Sequence, residues 1–315
     1  MKRDRVSLPQ LSTNSLYLTD GGLETSLIFH EGLELPHFAA FDILRQADGA
    51  ERLRSYYHGY AEIAREQNLG MILESATWRA SRDWGEKLGY SPMELAAANR
   101  QAIELLQELR EEIEPGSAQP VVVSGCVGPR GDGYDPAAAI GVEEAEAYHR
   151  EQISALGEAG VDLVTALTMT SAEEAIGLTR AALAHGVPVA IGFTVETDGR
   201  LPSGQGLGEA IEQVDAATDR GPAYYLVNCA HPTHFDEALA AGEPWLERLR
   251  GLRANASALS HEELDEATEL DDGNPVELGA QYRSLRERMP WLSVLGGCCG
   301  TDHRHIDAIG SACAG

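Results

Sequence analysis

The chain is poor in positive charge. Its 315 residues include 24 Lys and Arg against 50 Asp and Glu, so the formal net charge is −26 at pH 7. Lys2 and Lys87 are the only lysines. A surface this acidic repels phosphate backbones and anionic lipid headgroups, so nucleic acids and membranes are not expected partners. The same acidity suggests adaptation to high salt, because salt screens the repulsion between like charges.

Long apolar runs are also missing. Stretches such as Val121-Val122-Val123 fall far short of the roughly 20 residues that span a bilayer. The N-terminus, Met1-Lys2-Arg3-Asp4, is charged, and no apolar run follows it, so no signal peptide is expected. The five cysteines are few and odd in number for a chain of this length, which argues against a disulfide framework. A reducing cytoplasm is therefore the expected location.

Short apolar segments alternate with longer helical patterns along the whole chain. The predicted strands are 16–20, 71–75, 121–126, 163–167, 187–193, 223–229, 251–255 and 292–295. The predicted helices are 50–67, 92–114, 142–159, 171–185, 207–217, 235–249 and 275–289, with a last one starting near Asp302. Strands that are apolar on both faces and alternate with helices predict a parallel α/β fold.

A (β/α)₈ TIM-type barrel, possibly distorted, is the predicted fold, with residues 1–315 as one domain. The alternative is a doubly wound open sheet. The barrel is favoured because the polar clusters follow the carboxyl ends of predicted strands, where barrel active sites form. The strongly acidic segment 253–272 is expected to form a loop or short helix over one rim.

Three cysteines lie at the ends of two predicted strands. Cys229 ends the sixth strand, and Cys298 and Cys299 end the eighth within a glycine-rich turn. Strands six and eight of a closed barrel lie one strand apart, so these thiols can converge. Three thiolates suit Zn²⁺ and leave a fourth coordination position open, as in catalytic zinc sites. The alternative is an inert Cys-Cys pair in a turn.

The run Gly296-Gly297-Cys298-Cys299-Gly300-Thr301, with Asn228-Cys229 and Asp20-Gly21-Gly22 upstream, resembles the homocysteine S-methyltransferase family. The resemblance extends from about Leu16 to Ile309. It implies a zinc ion on Cys229, Cys298 and Cys299, with a small-molecule thiol, homocysteine, attacking a methyl donor to give methionine. The chain length favours a small sulfonium donor, S-methylmethionine or S-adenosylmethionine, over folate or cobalamin. Betaine-type donors are second.

The resemblance also implies a set of substrate-binding residues. These are Asp20, Gly21, Gly22, Glu24, Trp78, Thr168, Asn228 and Gly297. A cationic methyl group can rest on aromatic faces, and the candidates for that contact are Phe38, Phe41, Trp78 and Trp84.

Two departures from the family pattern bear on the acceptor. Leu167 stands where many members carry a Glu that meets the substrate amino group, and Ala76 replaces an Asn after the second strand. Glu74 or Glu196 is a candidate for the missing negative charge, and Arg79 adds a cation. Two alternatives follow: a methyltransferase or demethylase of the same type acting on another thiol or donor, and a non-catalytic zinc-binding barrel. No oligomeric state is predicted.

Other residues are expected to lie outside the metal site. Cys126 ends the third strand and is predicted not to be a ligand, and Cys313 near the C-terminus is expected to be incidental. Asp302 is the predicted N-cap of the last helix, which places His303 and His305 in its first turn in structural roles.

Overall fold

Eight parallel strands close into a barrel in the order of the chain, each hydrogen-bonded to its neighbours, with β8 paired to β1. The computed structural model describes residues 8–12, 15–131, 140–240, 242–266 and 269–314. The strands are β1 Tyr17–Leu18, β2 Gly70–Glu74, β3 Val122–Val127, β4 Leu163–Met169, β5 Val189–Phe193, β6 Tyr224–Asn228, β7 Leu249–Ala254 and β8 Val294–Gly297. The predicted (β/α)₈ barrel is confirmed. The N-terminal residues Met1–Asp4 lie outside the described part.

Helices surround this barrel. They are α1 Leu23–Thr25, α2 Gly49–Glu66, α3 Arg82–Lys87, α4 Pro92–Ile113, α5 Val142–Ala159, α6 Ala172–Ala184, α7 Leu207–Thr218, α8 Pro232–Phe235, α9 His261–Glu266, α10 Pro275–Arg288 and α11 His303–Cys313. The predicted N-cap at Asp302 is confirmed: its side chain accepts a hydrogen bond from the Arg304 N–H at 2.9 Å. No helix in the described ranges is long and apolar enough to cross a bilayer.

One predicted helix, 235–249, is wrong. The chain forms the four-residue α8 there, followed by two 3₁₀ turns, Ala238–Ala240 and Pro244–Arg248. Gly242 adopts φ +66, and Pro244 begins the second turn. A left-handed residue and a proline without an N–H both interrupt the i→i−4 hydrogen-bond ladder, so an apolar 3.6-residue pattern does not become a continuous helix.

Side chains alternate between the barrel interior and the helical shell along each strand. On β2, Met71 and Leu73 belong to the apolar core shared with the helices, whereas Ile72 belongs to a second cluster. This second cluster fills the interior and contains Tyr17, Ile72, Val122, Leu163, Tyr224, Leu226 and Val294, closed off by Leu8. The two-residue period therefore turns Glu74 and Arg253 inward at the carboxyl ends of β2 and β7.

The strand bounds differ from the predicted ones by up to two residues at either end. β1 is shorter than predicted, because Thr19 and Asp20 continue beyond the last paired residue. Arg253, which the sequence placed both in the predicted strand 251–255 and at the start of the acidic segment, is the fifth residue of β7. Register shifts occur between β4 and β5 and between β6 and β7. The first lies where Thr168 adopts φ +63, so the backbone of β4 bends just beside the cavity described below.

Candidate metal centre and substrate cavity

The sulfur atoms of Cys229, Cys298 and Cys299 all lie within 4.8 Å of one another. Cys229 follows β6 directly and the other two follow β8, with β7 between them. The Sγ atoms of Cys229 and Cys299 are 3.5 Å apart. Cys229 is buried, Cys298 is half-buried and Cys299 is exposed, so the cluster is open on one side.

The backbone of β7 and of the residues after it holds both cysteine turns. The Cys229 N–H donates to the carbonyl of Arg253 at 3.0 Å, and the Cys298 N–H donates to that of Ala254 at 2.8 Å. Cys229 adopts φ +56, a left-handed conformation that costs a non-glycine residue free energy. The Cys229 carbonyl accepts bonds from Thr194 Oγ1 at 3.2 Å and from His261 Nε2 at 2.7 Å. These bonds hold the strained residue in place.

The donor set fits zinc. Sulfur atoms about 2.3 Å from a tetrahedral zinc ion lie about 3.8 Å from each other, which agrees with a cluster of this size. Hydrogen bonds from the Cys229 and Cys299 thiols hold the pKa of Cys298 well below its usual range, whereas the same contacts raise the pKa of Cys299. The cluster thus favours a shared anionic sulfur, the form in which cysteine binds metal. Cys126 lines the cavity but is not part of this group.

A cavity of about 390 Å³ opens at this end of the barrel, and the three cysteines line it. Most residues that the family resemblance implies for substrate binding also line it. These are Asp20, Gly21, Gly22, Glu24, Trp78, Thr168 and Asn228. Gly297 does not: its carbonyl instead accepts a bond from Arg253 Nε at 3.1 Å, behind the cavity wall.

A buried ionic group lies at the base of the cavity, where Arg253 joins the candidates Asp20 and Glu74; the sequence interpretation did not include Arg253 as a site residue. Arg253 Nη2 donates to Asp20 Oδ1 at 2.8 Å, and Arg253 Nη1 lies 3.9 Å from Glu74 Oε1. All three residues are at most 5% exposed. Burial raises the pKa of Asp20, and it raises that of Glu74 to about 7 in spite of Arg253. The available signal was Arg253 inside the predicted strand 251–255, since a buried cation needs a partner.

Glu24 is the remaining cavity carboxyl group on the first βα connection. It is half-buried, and the burial of its carboxyl group raises its pKa to about 7, with a further contribution from the nearby Cys298. Glu196, the other candidate for the missing negative charge, does not line the cavity. Its carboxylate lies 3.4 Å from His261 Nδ1 and is 38% exposed.

Asn228 at the end of β6 fixes the end of β4, two strands away in the barrel. Its Oδ1 accepts the Thr168 N–H at 2.8 Å, and its Nδ2 donates to Thr168 Oγ1 at 3.0 Å. These two bonds hold Thr168 at positive φ and place Leu167 on the cavity wall, where the carbonyl of Leu167 accepts Trp78 Nε1 at 3.3 Å. The residue before the first metal-cluster cysteine thus shapes the wall opposite that cluster.

The aromatic candidates for a cationic methyl group separate into two classes. Phe38 is 55% exposed and lines the cavity, as does Phe29, which the sequence interpretation did not include. Phe41 is fully buried against Tyr90 and does not line it, so that candidate is wrong.

Two tryptophans are covered by a cation from the protein itself. The guanidinium of Arg79 lies 4.3 Å from the Trp78 ring centroid and 3.7 Å from that of Trp84, and Lys87 Nζ lies 3.9 Å from the Trp84 ring. Trp78 lines the cavity and Trp84 does not, so Trp84 is also a wrong candidate.

The acidic segment lies over the cavity, as predicted. His261 and Leu264 on α9, together with Glu269, Leu270 and Asp271, line it. Asp271 accepts a bond from Ser257 Oγ. His261 is the second functional candidate that the sequence interpretation missed, because its contact with Cys229 depends on how the segment folds back over the barrel.

The two histidines near the C-terminus stay outside the cysteine cluster. His303 stacks on Tyr60 with ring centroids 4.1 Å apart. His305 is fully buried, and its Nε2 bonds the carbonyl of Asp272 at 2.8 Å. Both have structural contacts, in line with the expectation.

Comparison with known proteins agrees with this architecture. The family model described as homocysteine S-methyltransferase matches residues 17–313. The fold is similar to crystal structures of the homocysteine methyltransferase MmuM from Escherichia coli. Its oxidized form matches at a TM-score of 0.77 with 20% identity, covering 95% of this chain and 96% of that one. Its metallated form matches at 0.71 with 19% identity and the same coverage. No curated protein matches in a sequence search. This chain belongs to the homocysteine S-methyltransferase family and is a methyltransferase.

Proposed function

We propose that this chain is a zinc-dependent S-methyltransferase that moves a methyl group from a small sulfonium donor, S-methylmethionine or S-adenosylmethionine, to homocysteine. The observation that carries the proposal is the convergence of the Cys229, Cys298 and Cys299 thiols within 4.8 Å at the wall of a large cavity. Free thiols of this kind stay reduced in the cytoplasm, which we propose as the site of action.

Cys229, Cys298 and Cys299 would hold the zinc ion. When bound, zinc keeps an acceptor thiol deprotonated at neutral pH, which leaves its sulfur nucleophilic. The acceptor sulfur forms a bond to the methyl carbon, the donor S–CH₃ bond breaks, and its electron pair stays on the donor sulfur. A sulfonium donor thereby becomes a neutral thioether, so no further reactant is needed.

The charge of the cavity suits a cationic donor. Five carboxyl groups line it, those of Asp20, Glu24, Glu74, Glu269 and Asp271, against the two guanidinium groups of Arg79 and Arg253. Phe29 and Phe38 offer exposed aromatic faces at the same cavity. A sulfonium group against such faces gains about 0.5–2 kcal/mol. The donor is therefore expected on the Phe29 side rather than on Trp78, whose face Arg79 already covers.

Metal analysis and an activity assay test the proposal together. We expect about one zinc per chain in the purified protein, lost in Cys298→Ser and retained in Cys313→Ala, a control on a cysteine outside the cavity. The zinc-loaded protein is then incubated with homocysteine and each of S-methylmethionine, S-adenosylmethionine and betaine. Methionine formed from a sulfonium donor supports the proposal. Zinc without methionine from any donor would refute it and favour a methyltransferase with a different thiol acceptor.

A second candidate is a methyltransferase of the same type with a different thiol acceptor or with betaine as donor. Leu167 in place of a carboxylate favours it, as does the engagement of Asp20 by Arg253. A panel of thiols that differ in their amino and carboxyl groups, assayed with the same donors, separates the two candidates.

A further inference from the structure

Both carboxylate oxygens of Asp20 already accept hydrogen bonds from other side chains of the protein. Its Oδ1 accepts Arg253 Nη2 at 2.8 Å, and its Oδ2 accepts the Tyr56 hydroxyl at 3.0 Å. Leu167 supplies no charge at the end of β4. The position that would meet an acceptor ammonium group in the family pattern is thus apolar, and the carboxylate of Asp20 is engaged by Arg253 and Tyr56. An amino-acid thiol needs another partner for its head group here.

Two other ionic atoms beside the cavity have no hydrogen-bond partner. Arg253 Nη1 and Glu74 Oε2 are buried and have no hydrogen bond to any part of the chain that the structure describes. Both residues line the cavity, at 5% and 4% exposure. A buried charged group without its hydrogen bonds is costly, so each atom gains from a ligand group of opposite charge.

The side chains of Arg253 and Glu74 lie next to each other and carry opposite charges. Arg253 Nη1 lies 3.9 Å from Glu74 Oε1, beyond hydrogen-bonding distance. The same guanidinium donates through Nε to the carbonyl of Gly297, the residue before Cys298. The pair therefore lies beside the turn that carries two of the three cysteines, within reach of a short thiol bound there.

We propose that Arg253 and Glu74 form the head-group site for an α-amino-acid thiol, with its carboxylate on Arg253 and its ammonium on Glu74. The inference rests on the proposed function for the position of the acceptor sulfur. A zwitterionic head matches the opposite charges of the two side chains, whereas a thiol with only one charged group leaves one of them without a partner. Glu74 thus takes over the role that Leu167 does not fill.

Binding of three thiols to the zinc-loaded protein, measured calorimetrically without a donor, tests the site. The ligands are homocysteine, 4-mercaptobutanoic acid, which lacks the ammonium group, and 3-aminopropane-1-thiol, which lacks the carboxylate. Each missing charge-assisted hydrogen bond is expected to weaken binding by about 10- to 100-fold. Equal or tighter binding of 4-mercaptobutanoic acid would overturn the assignment of the ammonium group.

Two matched variants locate each contact. Glu74→Gln is expected to weaken homocysteine binding about 10-fold or more and to leave 4-mercaptobutanoic acid unchanged, because that ligand makes no contact through an ammonium group. Glu269→Gln removes an exposed carboxylate at the same cavity and is expected to leave the preference for homocysteine intact. A preference lost in Glu269→Gln and kept in Glu74→Gln would overturn the proposal. An equal loss for all three thiols in Glu74→Gln would show a structural role instead.

Arg253→Lys keeps the charge but removes the planar pair of donors. We expect it to reduce the preference for homocysteine over 3-aminopropane-1-thiol about 10-fold. If this variant does not fold, the wild-type comparison of the same two ligands still decides the carboxylate contact. A protein that binds homocysteine in this way but transfers no methyl group would refute the proposed function alone. Methyl transfer to all three thiols with equal efficiency would refute the head-group site alone.

Discussion

Replacing Gly22 with Ala tests how closely the first βα turn packs against the cysteine turn. A Cβ atom on Gly22 would lie 2.7 Å from the carbonyl oxygen of Cys298 and 3.1 Å from Thr25 Oγ1. Ordinary contact begins at 3.4 Å, so the Cys298 peptide has to move by about 0.7 Å. Gly22 has φ −77 and ψ 98, which alanine adopts without strain, so the effect is steric.

The expected loss of zinc affinity follows from how little displacement of its ligands a metal site tolerates. Ligand distances in such sites hold to about 0.2 Å, and changes in residues that support the ligands cost about 10- to 100-fold in metal affinity. We expect Gly22→Ala to weaken zinc binding by that factor, measured by competition with a chromophoric chelator. Overpacking should also lower the unfolding free energy of the metal-free protein by about 1–3 kcal/mol, measured by urea denaturation.

Gly141→Ala is the matched control. Gly141 has φ −73 and ψ 166, and a Cβ there meets nothing within 4 Å. This variant should bind zinc as the wild type does and lose about 0.5–1 kcal/mol, because Ala is a poorer N-cap than Gly; Gly22 is also an N-cap, so the two variants share this cost. Zinc affinity and stability of Gly22→Ala equal to those of Gly141→Ala would refute the reasoning, because the peptide carrying Cys298 would then yield at no cost.

Three further predictions concern the strand ends and the surface. Asn228→Ala removes both side-chain bonds to Thr168 and should cost about 1–3 kcal/mol in urea unfolding; Asn228→Asp keeps an acceptor for the Thr168 N–H and should recover part of it. Because burial raises the folded-state pKa of Glu74 to about 7, the folded protein holds more protons than the unfolded chain, so stability should fall as pH rises from about 4.5 to 7. Glu74→Gln should flatten that slope. The net charge of −26 predicts a melting temperature that rises between 0.1 and about 1 M KCl.

Clear results would contradict each of these. Equal losses in Asn228→Ala and Asn228→Asp would show that the Thr168 N–H bond contributes nothing. Parallel pH profiles for the wild type and Glu74→Gln in denaturant unfolding would remove Glu74 as the titrating group. A melting temperature that does not change with KCl would exclude the hypothesis of salt adaptation.

Much of the barrel could be predicted because its signals are local. The bounds of α5, Val142–Ala159, agree with the predicted 142–159, since Gly160 in the left-handed conformation ends the helix. The strands were found from their apolar runs, and β2 and β3 differ from the predicted bounds by one residue. The helix predicted at 235–249 does not form, although its apolar residues have helical spacing. Gly242 and Pro244 interrupt the helical hydrogen bonds, and the chain forms two short 3₁₀ turns there instead.

The candidate site was predicted unevenly. The convergence of Cys229 with Cys298 and Cys299 followed from the strand order alone, since a closed barrel brings the carboxyl ends of all strands to one rim. Their role as ligands stays a prediction. Trp84 failed as a candidate for contact with the donor's methyl group because it lies outside the cavity, with Arg79 and Lys87 over its ring, and no sequence pattern shows this.

The sequence by itself determined the alternation of strands and helices, the acidic surface and the placement of three thiols at strand ends. These features depend on the spacing of residues over a few positions, which can be read directly from the sequence. Tertiary structure alone decided that Arg253 pairs with Asp20, 233 positions away, and that His261 reaches the Cys229 carbonyl. The physical reason is that barrel closure and strand register set which inward-facing side chains meet, and a buried charge takes the partner that this geometry offers.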